Sequence, residues 1–321
     1  MKNIIYINIP FYSYNQRMIE SRKKRGYNVL AFNYKPVKSS IEKFFFRISS
    51  IFRTLVIKKL VKEICKSTKD LQIDIILAIN PTTIKKKYRR QILDSHPEAK
   101  KVLYLWDSVA TYPIEKDLSP LFDITYSFDP VDCEKYGYLY RPTFYAGVAQ
   151  SKSNEIQYDI FYIASYNKNR YSILCKMIDY CKKNNISIRY HLYIKNKLAF
   201  AFYKLFNPSL DKNLVSFELR NNEEKSQMIL NSKAIFDNPL DTQTGLTRRI
   251  IEGMFYHKKI LTTNVHIKDF DFYNPEDFQV IDSDHIYINK ANLSCSVKYE
   301  RNEAYYSVDS LMATLLGQTN D

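Results

Sequence analysis

The stretch Asp237-Asn238-Pro239-Leu240-Asp241-Thr242-Gln243-Thr244-Gly245-Leu246-Thr247-Arg248-Arg249-Ile250-Ile251-Glu252, followed by GMFYHKKILTTN (253–264), carries the densest information in this 321-residue chain. It reads as a strand ending at Asp237, a polar loop through Gly245, a helix starting near Thr247 and a strand at Lys259–Thr262. Thr247 suits the N-cap position, and the loop offers backbone amides to an anion. Arg248 adds a fixed charge, and Glu252 lies one helical turn beyond it on the same face. Two readings fit: a helix start that holds a diphosphate and a ribose diol together, or an Arg–Glu surface pair on an ordinary helix.

Working outward, short β-rich runs alternate with helical ones along the chain. In the first half the strands are Asn3–Ile9, Tyr27–Phe32, Ile73–Ile79, Lys101–Trp106, Ile124–Phe128 and Leu139–Phe144, with helices over 14–25, 40–67 and 84–95. The second half has strands at Tyr158–Ile163, Ser187–Ile194, Val215–Phe217, Ala234–Asp237, Lys259–Thr262 and Gln279–Ile281, and helices over 168–184, 222–232, 246–256 and 304–316. Such alternation predicts βαβ units and parallel sheets. The expected fold is α/β: two doubly wound Rossmann-like domains facing a cleft, over 1–148 and 149–303. A helix within 304–321 packs back on the first domain, and Ala146–Asn154 serves as linker. Ligands in such sheets sit beyond the carboxyl ends of the strands.

Composition removes several classes. Six glycines (Gly26, Gly137, Gly147, Gly245, Gly253, Gly317) stand too far apart for a dinucleotide fingerprint or a P-loop. Five scattered cysteines without a C-x-x-C and five histidines without an H-x-x-x-H exclude zinc ribbons, thioredoxin-like pairs and zincins. The N-terminal apolar run is too short for a signal peptide and no run of 18 apolar residues occurs, so the expected location is cytoplasmic. Residues 1–150 carry 26 basic and 14 acidic side chains, the remaining 171 carry 22 and 20. The positive excess therefore sits in the first half, and an acidic partner is expected there.

Within 41–64, Phe44, Ile48, Ile51, Phe52 and Leu55 share one helical face, while Ile57, Leu60, Val61 and Ile64 lie nearly opposite. Either the helix kinks near Val56 or its first half covers something other than its own domain. With Arg47, Arg53, Lys58, Lys59 and Lys62 interspersed, the segment suits an anionic membrane surface, or a core helix with solvated lysines. Lys85-Lys86-Lys87-Tyr88-Arg89-Arg90 is either a lipid-diphosphate or headgroup patch or a solvated helix face. Pro10-Phe11-Tyr12-Ser13-Tyr14-Asn15 offers aromatics for sugar stacking or for packing.

The Gly-Leu-Thr loop, the helix bearing Glu252 and the Lys-Lys-Ile-Leu-Thr-Thr-Asn strand resemble the C-terminal nucleotide-sugar site of GT-B glycosyltransferases. The nearest resemblance is to bacterial enzymes of lipopolysaccharide, O-antigen and capsule assembly. It extends to Asp271–Pro275, Tyr158–Tyr166, Tyr104–Ser108 and Tyr126–Pro130, and so covers most of the chain. It implies that Glu252 binds ribose hydroxyls and that Gly245, Leu246, Thr247 and Arg248 hold the diphosphate. The turn containing Ser165, Asn167 and Arg170 contributes to the same pocket, with Lys195 as a further phosphate partner. Many retaining members place a glutamate eight residues before the ribose-binding one; Thr244 stands there, which leaves retention or inversion open.

An inverting route needs a general base, for which Asp107 is the first candidate and Asp129 the reserve, with Glu134 behind them. Asp107 could equally cap a helix or bond within a turn. The expected activity is metal-independent transfer from a UDP- or GDP-sugar to a surface-polysaccharide or lipid-linked acceptor, with no cofactor required. The enzyme would work peripherally on the inner face of the bacterial inner membrane, the first domain binding acceptor and the second donor. Asp269-Phe270-Asp271 and Asp282-Ser283-Asp284 read as turn carboxylates, not metal ligands. The rival classes are a non-catalytic scaffold of the same fold and a basic nucleic-acid-binding protein. Against the latter, no RNP-like, KH-like or helix-turn-helix signature occurs.

Overall fold

Strand Ile75–Ile79 is buried at every position, which requires layers on both faces of its sheet. The computed structural model, which describes residues 2–8, 14–145, 155–300 and 302–318, shows how this is met. Strands β1 (Asn3–Asn8), β2 (Asn28–Asn33), β3 (Ile75–Ile79), β4 (Lys100–Leu105), β5 (Ile124–Ser127) and β6 (Leu139–Tyr140) form one sheet in the order β2-β1-β3-β4-β5-β6. Every pairing in it is parallel. Its connections carry α1 (Tyr14–Lys24), α2 (Ser40–Ile48), α3 (Ser50–Thr68), α4 (Lys86–Asp94), α5 (Ile114–Leu118) and α6 (Pro130–Tyr136).

The second sheet contains β7 (Tyr158–Ser165), β8 (Ile188–Tyr193), β9 (Ser232–Asp237), β10 (Lys259–Thr262) and β11 (Phe278–Val280), again all parallel, in the order β11-β10-β9-β7-β8. Helices α7 (Lys168–Lys183), α8 (Lys197–Phe206), α9 (Asn222–Leu230) and α10 (Arg248–Phe255) connect these strands. Strand order reverses between β7 and β9, so the switch point of this sheet lies beyond their carboxyl ends. Contacts divide the chain into Met1–Thr143 with Ala304–Asp321 and the continuous unit Phe144–Glu303.

The last helix, α11 (Val308–Leu315), packs on α1 in the first unit. Arg22, fully buried, pairs with Asp309 at 3.2 Å and bonds Gln318 at 2.8 Å. Arg141, also buried, donates to Ser310 Oγ at 3.0 Å and to the Tyr305 carbonyl at 2.8 Å. No helix among the described residues is long and apolar enough to cross a membrane. The expected linker Ala146–Asn154 lies outside the described residues.

Three local expectations are corrected. The helix expected over 40–67 breaks at Ser49, not near Val56: Ser49 takes an extended backbone and its hydroxyl accepts the Phe52 amide, capping α3. The Ile57, Leu60, Val61 and Ile64 stripe is core, whereas Ile41, Phe44, Ile48, Ile51 and Leu55 stay exposed. Val215–Phe217 forms only a bridge, Tyr193 to Ser216, and the strand expected over Leu139–Phe144 pairs only at its first two residues. Helices α5, α6 and α8 had no counterpart in the sequence reading.

Gly253 lets α10 sit directly on the second sheet. A Cβ there would lie 2.5 Å from Ile260 Cδ1 and 2.9 Å from Ile235 Cδ1, both on buried strand residues. Gly253→Ala should therefore destabilise the protein by about 1–3 kcal/mol through overpacking. A urea titration following the second unit will show the loss; an unchanged midpoint would mean that the helix shifts without strain.

Candidate functional site

The second sheet builds its site around a buried acid. Asp237, the last residue of β9, is wholly inaccessible, and a buried carboxylate must be paired. Its Oδ1 accepts from Thr247 Oγ1 and from Arg249 Nε, each at 2.7 Å, and its Oδ2 from Thr262 Oγ1 at 3.1 Å. The Thr247 hydroxyl also accepts the Ile250 amide, so the cap of α10 is bound to the end of β9. Burial pulls the Arg249 guanidinium down, but the adjacent Asp237 outweighs it and holds the group above its ordinary value.

Arg249 continues to the switch point. Its Nη2 donates to the Asn238 carbonyl at 2.9 Å and its Nη1 to the Ile163 carbonyl of β7 at 3.2 Å. Arg170, from the first turn of α7, donates its Nε to the same Asn238 oxygen at 3.1 Å. Two guanidinium groups thus share one carbonyl between the ends of β7 and β9. Burial, reinforced by the neighbouring Arg249, pushes Arg170 down to about 10. Among the described residues its Nη groups make no hydrogen bond. Concentrated positive charge with unused donors at a switch point is suited to an anion.

The other expected donor residues divide. Asn167 caps α7 by accepting the Asn169 and Arg170 amides, which places Arg170 but occupies the Asn167 side chain. Asn264 Nδ2 donates to the Thr244 carbonyl at 2.8 Å and reaches that of Gly245 at 3.5 Å, shaping the loop before α10. Leu246 is fully buried and its side chain belongs to the core. Arg248 lies with its guanidinium 5.8 Å from the Phe144 ring centroid. Burial lowers Lys225 of α9, with Glu252 opposing the shift and Arg248 adding to it. Ser165 is exposed at the end of β7; Lys195 is exposed after β8 and makes no hydrogen bond or ion pair among the described residues. Arg249 escaped the sequence reading, although an acid ending a buried strand calls for a cation nearby.

In the first unit, Asn80 follows β3 with φ of 40°, in the left-handed region that asparagine tolerates. Its Oδ1 accepts the Trp106 amide at 3.0 Å and its Nδ2 donates to Asp107 Oδ2 at 2.7 Å, fixing the carboxylate beyond β4. Burial raises Asp107, and Asn80 and Lys35 only partly offset this. Asp107 does not cap α5, which starts after Pro113. Asp129, by contrast, is buried and caps α6 through the Val131 and Asp132 amides. Glu134 is exposed.

Within the basic run, Arg89 is buried and bidentate to Glu115, both contacts at 2.8 Å, and Tyr88 is buried too; Lys85, Lys86, Lys87 and Arg90 remain exposed. Of the aromatic loop 10–15, residues 10–13 lie outside the described residues, and Tyr14 and Asn15 are buried in α1. Asp282 Oδ1 accepts the Asp284 amide and Asp284 pairs with Lys176. No metal-binding cluster of three His, Cys, Asp or Glu occurs among the described residues.

No protein-family model matches the chain, and no curated protein matches it in sequence. Solved structures do. A lipopolysaccharide outer core galactosyltransferase, WaaB, in apo form is 13% identical with a TM-score of 0.53, over 98% of this chain and 94% of that one. An alpha-glucosyltransferase in complex with UDP and a 13-mer DNA containing a central A:G mismatch is 13% identical with a TM-score of 0.57, over 99% and 95%. A glycosyltransferase from Rickettsia africae ESF-5 is 13% identical with a TM-score of 0.57, over 98% and 97%. The chain has the two-domain Rossmann-like fold called GT-B. At these identities the likeness concerns the fold alone.

The loop after β4 is held by a further acid that the sequence reading missed. Asp132 Oδ2 accepts the Val109 amide at 2.6 Å; burial pushes Asp132 up to about 6, with neighbouring Asp129 adding to the effect. A raised carboxyl contributes most to stability below its ordinary value of 3.8, and that contribution is lost as pH rises through about 6. Asp132→Asn should melt higher than the parent at pH 8, and the gap should close toward pH 4. Melting curves across that range test this; a gap independent of pH would reject the assignment.

Proposed function

We propose that this chain is a glycosyltransferase that moves a sugar from a nucleotide-sugar donor, UDP- or GDP-linked, to a surface-polysaccharide or lipid-linked acceptor. The observation that carries the reading is the pair of guanidiniums, Arg170 and Arg249, on the Asn238 carbonyl at the switch point of the second sheet. Arg170, with the amides from Gly245 through Thr247 at the start of α10, holds the donor diphosphate, and Arg249 supports it through Asp237. Glu252 receives the ribose hydroxyls, with Arg248 beside it; Ser165, Asn167 and Lys195 border the same end of the sheet. The UDP-bound and galactosyltransferase neighbours support a nucleotide-sugar donor.

In an inverting transfer the acceptor hydroxyl gives its proton to Asp107, its oxygen bonds the anomeric carbon, and the bond from that carbon to the diphosphate breaks. The raised Asp107 suits a base better than an ordinary carboxylate, and Asp129 serves by shaping α6. Charge developing on the leaving diphosphate is met by guanidinium and amide donors, so no metal is required. The basic first unit, with the exposed apolar residues of α2 and α3, meets an anionic membrane surface peripherally, on the cytoplasmic side of the inner membrane.

Thermal-shift titration with nucleotide sugars should reveal a stabilising donor. Arg170→Ala should weaken it about 10- to 100-fold, the loss of a charge-assisted contact, and Glu252→Ala should also weaken it. Asp107→Asn should retain the shift while transfer falls roughly 10²- to 10⁴-fold. No shift with any nucleotide sugar would favour a scaffold, and steeply salt-dependent binding to random DNA or RNA would favour a nucleic-acid protein. Asp107 must be ionised to act, so transfer should fall as pH drops through its raised value; a flat acid limb would remove it from the mechanism.

A further inference from the structure

Helix α8 is apolar on both sides. Ala199 and Phe200 pack on the core of the second unit, with Phe200 6.0 Å from the Phe217 ring and Tyr203 4.7 Å from Tyr166. The opposite stripe, Leu198, Phe202, Leu205 and Phe206, is 81%, 57%, 77% and 67% exposed. These positions follow i, i+4, i+7 and i+8 spacing and form one continuous face. Asn196 caps the helix through the Ala199 amide, so the face is presented by an ordered element.

We infer that α8 is an in-plane anchor that inserts this face into the interfacial region of an anionic bilayer. At 10 residues, about 15 Å, it is too short to span a membrane but long enough to lie in its surface. Charge chooses the occupant. From Lys195 to Phe206 there are three lysines, Lys195, Lys197 and Lys204, and no acid, in a half of the chain that is otherwise nearly neutral. A second copy seated on this face would bring both sets of lysines together, whereas anionic headgroups neutralise them. Because Asn207 Nδ2 donates to Tyr166 Oη and the Tyr166 ring lies tilted against Tyr203, the anchor is joined to the turn that carries Arg170. The inference rests on α8 alone and not on the donor assignment.

The test uses the full chain with vesicles of phosphatidylcholine, alone or mixed with phosphatidylglycerol. The parent should co-sediment with the mixed vesicles only, and Leu198→Glu/Leu205→Glu should reduce that binding about tenfold or more. Both substituted residues are exposed, so the melting temperature and any donor-induced shift should be retained; a lowered melting temperature would be answered with the milder Leu198→Ser/Leu205→Ser. In a second arm, Phe202→Trp should gain blue-shifted emission with the mixed vesicles. Undiminished binding by a folded double variant, an unmoved Phe202→Trp spectrum, or a dimer that the double variant dissociates without vesicle binding by the parent would each overturn the inference.

Discussion

The bond between Asp237 and Arg249 buries one carboxylate completely beneath the start of α10, and much of the second unit's upper surface is arranged around it. Removing water from an acid is expensive unless donors replace it, so three side chains from two further elements converge on these two oxygens. That convergence sets where α10 begins. It also sends the rest of Arg249 to the carbonyls of Ile163 and Asn238, where Arg170 meets it. Packing at Gly253 then fixes how closely the helix lies on the sheet.

The two units place charge at their strand ends in opposite senses. Beyond β7 and β9 the acid is hidden and two guanidinium groups converge on one carbonyl, a setting for an anion. Beyond β3 and β4 an acid, Asp107, is the group held in place, by the amide of Asn80. Burial is what raises it, with Asn80 and Lys35 offsetting this only in part, whereas Asp237 has a guanidinium within hydrogen-bonding distance. One arrangement gathers guanidinium groups around a carbonyl; the other holds a carboxylate by an amide.

Much of this was legible in the residues. The βαβ alternation marked both sheets, the strand Lys259–Thr262 runs between the expected residues, and Thr247 caps α10 where its side chain suggested. What escaped depended on tertiary surroundings. Two adjacent arginines open α10, and nothing local distinguishes the one that turns toward Asp237. Asp132 owes its raised value to burial, which spacing does not report. The missed helix α8 shows no single polar face, so the periodicity that marks a helix is erased by apolar residues on both sides. The break at Ser49 had a signal: Ser39 and Glu42 form a capping box, and Ser49 caps again ten residues later, too soon for one long helix.

The return of α11 to the first unit has a consequence for the order in which the protein is made. Arg22 is buried against Asp309 and Gln318, and Arg141 against Ser310 and Tyr305, partners supplied more than 160 residues downstream. While the nascent chain is still emerging, both cations lack those partners and the flank of the first sheet lacks its cover. The second unit, by contrast, is contiguous, Phe144–Glu303. Synthesis from the N-terminus ordinarily lets the first domain mature first. Here the sequence of the second unit is complete before that of the first, whose buried Arg22 and Arg141 are partnered from within 305–318.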